Sequence, residues 1–190
     1  MPRVTALRAD GCGRVSVELD GAPWRVLPVD VVARAGLAEG RVLDRPAARL
    51  VRRELRRAEA LQVAERVLRH RDLSRQRLSE RLAAAVPPAT AAESLATLER
   101  AGLVDDERVA LARAESLAAR GYGDEAIRHR LRAEGLPEEA VGELEPEAER
   151  ARPLIERRGP GSRTARYLAA RGFGEDAVEA ALGAAFGQES

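Results

Sequence analysis

Few residues in this sequence are placed to do chemistry. Asp105-Asp106-Glu107 gathers three carboxylates, the residue type that holds hard cations. No histidine or further carboxylate falls at ligand spacing, and a helix start calls for such acids. An aspartate there accepts backbone N–H bonds, and its charge suits the positive end of the helix dipole. The trio therefore reads as a helix cap rather than a metal site. His70 and His129 sit in arginine-rich helical stretches, with none of the context that surrounds a catalytic nucleophile. Gly121-Tyr122-Gly123 is too short for a phosphate loop, and no Lys-Ser/Thr pair follows it. It reads as a turn. No catalytic residue, metal site or cofactor is expected, and the protein is not expected to be an enzyme.

Charge is the stronger candidate. Residues 45–81 hold 12 arginines (45, 49, 52, 53, 56, 57, 66, 69, 71, 75, 77 and 81) against Glu54, Glu59, Glu65, Asp72 and Glu80, a balance of +7. A solvated helix face produces such a run, and so does a stripe that contacts phosphates. The stretch has no aromatic residue, so base stacking is not expected. Backbone contact or an acidic protein surface remains. Lysine and asparagine are absent, so all 32 basic residues are arginine, which we read as compositional bias. Net charge is +1, yet residues 1–100 carry 19 arginines against 13 acids, and residues 101–190 carry 13 against 18. That asymmetry points to a polyanion or an acidic partner at one end. The acids from Glu134 to Glu149 read as helix-terminus residues and a solvated linker. A single cysteine, Cys12, excludes an internal disulfide and fits a reducing cytosol. No secretory pattern or membrane-length apolar run is seen, so a cytoplasmic protein is expected.

The elements that position these residues follow from periodicity. Val4 to Leu7, Arg14 to Leu19 and Trp24 to Leu27 are short β-type segments, with turn signals at Asp10-Gly11-Cys12-Gly13 and Asp20-Gly21. A short helix is expected near Val29 to Ala35. Asp44 suits a helix cap with Pro46 just inside, and that helix runs towards His70. Leu50, Leu55, Ala58, Leu61, Ala64 and Leu68 recur along it at helical spacing. Gly102 is a helix stop, and Asp105 or Asp106 caps the next helix. Ala110, Leu111, Ala114, Leu117 and Ala118 then form its apolar stripe, with Val109 at the margin. Asp124 starts a further helix in which Ile127 and Leu131 meet, and Gly135 ends it.

The chain also repeats itself. At an offset of 37, Leu131 falls on Leu168, Gly135 on Gly172, Leu136 on Phe173 and Val141 on Val178. A more diverged first copy aligns Ser74, Leu78 and Leu82 with Gly123, Ile127 and Leu131. Each copy reads as three short helices, which must bury one another's apolar stripes because each is weak alone.

Gly102-Leu103-Val104-Asp105-Asp106-Glu107-Arg108-Val109-Ala110, then Arg120-Gly121-Tyr122-Gly123, then Ile127, Leu131 and Gly135-Leu136 resemble the central repeat of the RecX family, bacterial regulators of the RecA recombinase. Val109 departs from the family, which usually carries an aromatic residue there. The likeness covers residues 62–188 well and residues 1–61 loosely. The expected architecture is mainly α: tandem three-helix repeats in an elongated array with a small β-containing N-terminal module. Its parts are a β-rich module over 1–43, a basic linking helix over 44–61, and three-helix repeats over 62–103, 104–145 and 146–188. The resemblance implies a non-enzymatic regulator that binds RecA and its filament on single-stranded DNA. It would limit filament growth, ATPase and strand exchange, in recombination, repair and the SOS response. Arg113, Arg120, Arg128 and Arg132 are the expected partner-binding residues, chosen by charge and position. Arg52, Arg53, Arg56 and Arg57 are expected to form an auxiliary or nucleic-acid-binding face. The protein is expected to be a monomer with weak direct DNA binding. The rival reading is a helical DNA-binding protein that acts without a recombinase.

Overall fold

The computed structural model describes residues 1–69 and 72–187. His70, Arg71 and Gln188, which figure in the expectations above, lie outside the described residues. The chain forms two compact units, Met1–Arg71 with Leu78–Ala101, and Asp72–Arg77 with Gly102–Ser190. It is mainly helical, with one small sheet at the N-terminus.

In the first unit, β1 (Val4–Ala9), β2 (Arg14–Leu19) and β3 (Ala22–Pro28) form an antiparallel sheet in the order β1-β2-β3. Asp10 closes the first turn: its carboxylate accepts from the Cys12 and Arg14 amides at 2.9 and 3.1 Å. Those bonds, the one from Cys12 foremost, hold its pKa below the ordinary carboxylate value. Asp20 and Gly21 make the second turn, both at positive φ (50° and 81°), the conformation that matches a tight hairpin to strand twist. Val15 and Val17 point into the core, as alternation requires, while Leu19 is half-buried. Three strands are marginal alone. They pack on α1 (Val29–Arg34) and on Ala47 and Val51 of α2 (Arg45–Leu68), so sheet and helix share one core.

α2 is one unbroken helix, capped by Asp44, which accepts from the Ala47 amide at 2.8 Å. Its buried stripe differs from the leucine pattern of the sequence. Ala47, Val51, Glu54, Ala58, Ala60 and Ala64 are buried, whereas Leu50, Leu55, Leu61 and Leu68 are half-buried. α4 (Pro88–Arg100) packs against α2, while Leu50 and Leu55 pack against the core shared with the sheet. α3 (Arg75–Ala83) contributes the fully buried Leu78 and Leu82 to this unit. Glu54 Oε2 and Ser94 Oγ are buried without a hydrogen-bond partner among the described residues.

The second unit contains α5 (Asp106–Ala119), α6 (Asp124–Glu134), a 3₁₀ helix (Glu138–Glu143), α7 (Glu147–Arg158), α8 (Ser162–Ala170) and α9 (Glu175–Gly187). Asp105 caps α5, accepting from the Arg108 amide at 3.0 Å. The α5 stripe is turned relative to expectation. Val109 is buried beside Ile127, Leu131 and Val141, and Leu111 is half-buried, because α6 and the 3₁₀ helix pack on the Val109 side. The third helix of this repeat is 3₁₀ rather than α, a tighter form suited to a six-residue segment with Gly142 inside it. Equivalent residues occupy equivalent places. Leu131 and Leu168 are both 0 % exposed, and Gly135 and Gly172 both have positive φ, at 69° and 81°.

Two junctions within this unit repeat one plan. Ser74 Oγ donates to the Glu134 carbonyl at 2.6 Å, and the Arg75 amide donates to the Asp106 carboxylate at 2.7 Å. One repeat later, the Gly123 amide donates to the Arg171 carbonyl at 3.0 Å, and the Asp124 amide donates to Glu147. Gly123 is thus more than a turn residue. A Cβ on it would lie 2.3 Å from the Gly172 carbonyl, so glycine is required by close approach of two backbones. Among the described residues, eight α-helices and one 3₁₀ helix follow Asp44, with no strand.

Candidate functional site

The four arginines expected at the partner surface all lie in the second unit, and each already has a neighbour. Arg113, on α5, pairs with Glu134 at 2.9 Å. Arg128 pairs with Asp124 one turn back on α6, at 3.5 Å. Arg132 makes a two-pronged bond to Glu138, with both contacts at 2.7 Å. That bond holds the Glu138 carboxyl below its ordinary pKa and raises that of Arg132. Arg120 ends α5 and lies 5.8 Å from the centre of the Tyr122 ring. The same ring meets Arg130 at 4.0 Å and Arg171 at 4.9 Å. All four side chains remain exposed, but Arg113, Arg128 and Arg132 act first as internal ion-pair partners.

The basic face of the first unit is different. α2 presents Arg52, Arg53 and Arg56 on its exposed side, while Arg57 is half-buried and sits apart from them. Arg53 pairs with the buried Glu54 at 3.2 Å. Arg52 donates from Nε to the Ala48 carbonyl at 3.4 Å. Arg49 joins Arg52, Arg53 and Arg56 around a cleft of about 230 Å³ that also meets Thr90 of α4. Arg52 and Arg56 face a second cleft, of about 640 Å³, with Arg14 and Arg25 from the sheet. Sequence reasoning counted Arg49 in the basic run without singling it out, and missed Arg14 and Arg25. Nothing in the linear sequence brings β2 and β3 to the middle of α2; that follows from the shared core.

Asp105, Asp106 and Glu107 are accounted for by helix-start chemistry: Asp105 caps α5, and Asp106 receives the Arg75 amide. Asp72 and Arg108 form a two-pronged pair at 3.0 and 3.3 Å, which lowers the Asp72 pKa. Among the described residues no group of three or more histidine, cysteine, aspartate or glutamate side chains is placed to hold a metal ion. No described helix is long and apolar enough to cross a membrane.

Comparison with known proteins places this geometry. No protein-family model matches the sequence. The regulatory protein RecX of Thermus thermophilus, in two strains, is 40% identical over 121 residues, spanning 61% of this chain and 84% of that protein. The crystal structure of a regulatory protein RecX shares the fold with a TM-score of 0.80, covering 95% of this chain and 98% of that one at 20% identity. RecX from Lactobacillus salivarius gives a TM-score of 0.58, covering 67% of this chain and 94% of that one at 16% identity. The two structures speak to fold alone. The Thermus relatives, matched over most of their length, settle the family: this chain belongs to the RecX family.

Proposed function

We propose that this protein regulates a RecA-type recombinase by binding the recombinase and its filament on single-stranded DNA. It restrains filament growth, and with it ATP hydrolysis and strand exchange, in DNA recombination and repair. It does so as a cytoplasmic monomer without catalysing a reaction. The observation that carries this reading is the 40% identity to proteins named regulatory protein RecX over 84% of their length. No bond need be made or broken. A protein that binds filament and free subunit with different affinity shifts the equilibrium between them. Repeats of one plan also suit a filament, because a filament offers the same surface again and again.

For the recombinase contact we propose Arg113, Arg120, Arg128 and Arg132. The carboxylates that hold three of them are intramolecular and solvent-accessible. Exposed ion pairs are weak, so each guanidinium can exchange its partner for an acid on another protein. The test is RecA ATPase on single-stranded DNA, with a RecA from the same source and this protein below one molecule per RecA. Inhibition is expected, and replacing the four arginines with alanine should weaken it while the helical circular-dichroism signal stays. Full inhibition by that variant removes the contact assignment. No inhibition by folded wild-type protein removes the function.

A further inference from the structure

The two clefts of the first unit share Arg52 and Arg56 as a common wall. Arg14 and Arg25 stand on one side of that wall, and Arg49 and Arg53 on the other. On α2 the arginines at 49, 52, 53 and 56 follow the i, i+3, i+4, i+7 spacing of a single helix face, a rise of about 10 Å from first to last. Six guanidiniums thus come from two strands and a helix into one connected surface. Arg53 meets Glu54. Among the described residues, no carboxylate pairs within 4.0 Å with the guanidinium of Arg14, Arg25, Arg49, Arg52 or Arg56, although Asp10 accepts from the Arg14 amide and acts on its charge. Glu59 is the single acid lining either cleft. Like charges brought this close repel one another, and against the six guanidiniums stand three acids among the described residues, Asp10, Glu54 and Glu59.

We infer that this surface is a groove for the sugar–phosphate backbone of a nucleic acid, half of it supplied by the β-module through Arg14 and Arg25. Guanidiniums fork onto phosphate oxygens and hold them with two parallel bonds. The smaller cleft is walled by arginines and one threonine. Four arginines to one threonine is a density of positive charge that suits the repeating charge of a phosphate chain. Among the described residues no aromatic ring lines either cleft, and Trp24, 5.9 Å from the Arg25 guanidinium, packs against the sheet core, so the groove follows the backbone and ignores sequence. The inference goes beyond the recombinase reading and does not rest on it, since no recombinase is needed for the contact.

The test uses the full chain without RecA. A fluorescently labelled oligo-dT is titrated with protein over a range of salt concentrations, and binding is read by anisotropy. Log affinity should fall linearly with log salt. Each single-strand phosphate contact contributes about 0.7 to that slope, so the Arg14→Ser/Arg25→Ser pair should lose about 1.4. The Arg49→Ser/Arg56→Ser pair should lose about as much, and Arg113→Ser/Arg128→Ser nothing. A duplex of the same length, run beside the single strand, tells which form is held more tightly. Should a serine pair melt early, the corresponding Arg→Lys pair keeps the charge and should bind with a near-wild-type slope. Wild-type affinity and slope in both folded serine pairs would overturn the inference. So would polyglutamate binding the groove where oligo-dT does not.

Discussion

The arginines of α2 and those of α5 and α6 look alike in the sequence and do different work in the molecule. In the second unit, Arg113, Arg128 and Arg132 are held by Glu134, Asp124 and Glu138. In the first unit, Arg49, Arg52 and Arg56 line clefts without a carboxylate partner among the described residues. Local supply of acids explains the difference. Asp124 and Glu138 stand in the first turns of α6 and the 3₁₀ helix, within reach of Arg128 and Arg132, and Glu134 ends α6 within reach of Arg113 on α5. α2 has no acid in its first turn. Arginine content alone therefore does not say what a surface does: the paired arginines of the second unit must exchange a partner to bind, whereas those lining the clefts of the first need not. In the second unit those pairs tie helices of one repeat to one another or to themselves, whereas Arg49, Arg52 and Arg56 of the first form no ion pair among the described residues.

The largest effects should come from the repeat cores of the second unit. Leu131→Ala and Leu168→Ala each remove a fully buried side chain, and each should cost about 2–5 kcal/mol in denaturant melts. Losses below about 1 kcal/mol in both would break the equivalence of the two repeats.

Charge reversal sharpens the contrast itself. Arg52, Arg53, Arg56 and Arg57 changed to Glu should abolish binding to free DNA and flatten its salt dependence. The same change at Arg113, Arg120, Arg128 and Arg132 should leave that binding in place. Equal loss from both sets would mean that the two surfaces are not distinct.

A smaller effect concerns pH. Glu138 and Asp72 should titrate below their ordinary 4.5 and 3.8 in carboxyl NMR. The bond from Arg132 is the main cause for Glu138, and that from Arg108 for Asp72. A depressed carboxylate pKa contributes stability that is fully present above the ordinary value and is lost as pH falls through the depressed one. Arg132→Ser should return Glu138 upward. An unmoved Glu138 would show that Arg132 does not hold this carboxylate in solution.

The smallest effect is expected in the seam between α2 and α4. Ser94→Ala removes a buried hydroxyl that has no partner. Stability should hold or rise, by up to about 1 kcal/mol. A loss larger than that would reveal a bond to the hydroxyl and a more polar seam.

Spacing made much of the fold legible. Gly135 and Gly172, Leu131 and Leu168, and the caps at Asp44 and Asp105 are local or periodic signals, and the structure uses each of them. Other features required tertiary contact. Periodicity identified α2 as a helix and placed Ala58 and Ala64 correctly in its buried stripe, but its leucines lie half-buried at the edge while Ala47, Val51, Glu54 and Ala60 complete the stripe. Gly123 reads as a turn until its backbone is seen against Gly172, 49 positions away. The pairing of Arg113 with Glu134 spans 21 positions, and the approach of Arg14 and Arg25 to α2 depends on the sheet folding back. The core shared by sheet and α2 also bears on experiment. Removing residues 1–43 would uncover Ala47 and Val51, so substitutions at Arg14 and Arg25 probe the β-module more cleanly than deletion.

Filament length tests the functional account most directly. RecA filaments assembled on single-stranded DNA, with this protein added below one molecule per RecA, are measured by electron microscopy. Filaments shorter than those formed by RecA alone are expected, with the effect reduced in the Arg113, Arg120, Arg128 and Arg132 alanine variant. Filaments of unchanged length in the presence of folded wild-type protein would contradict it.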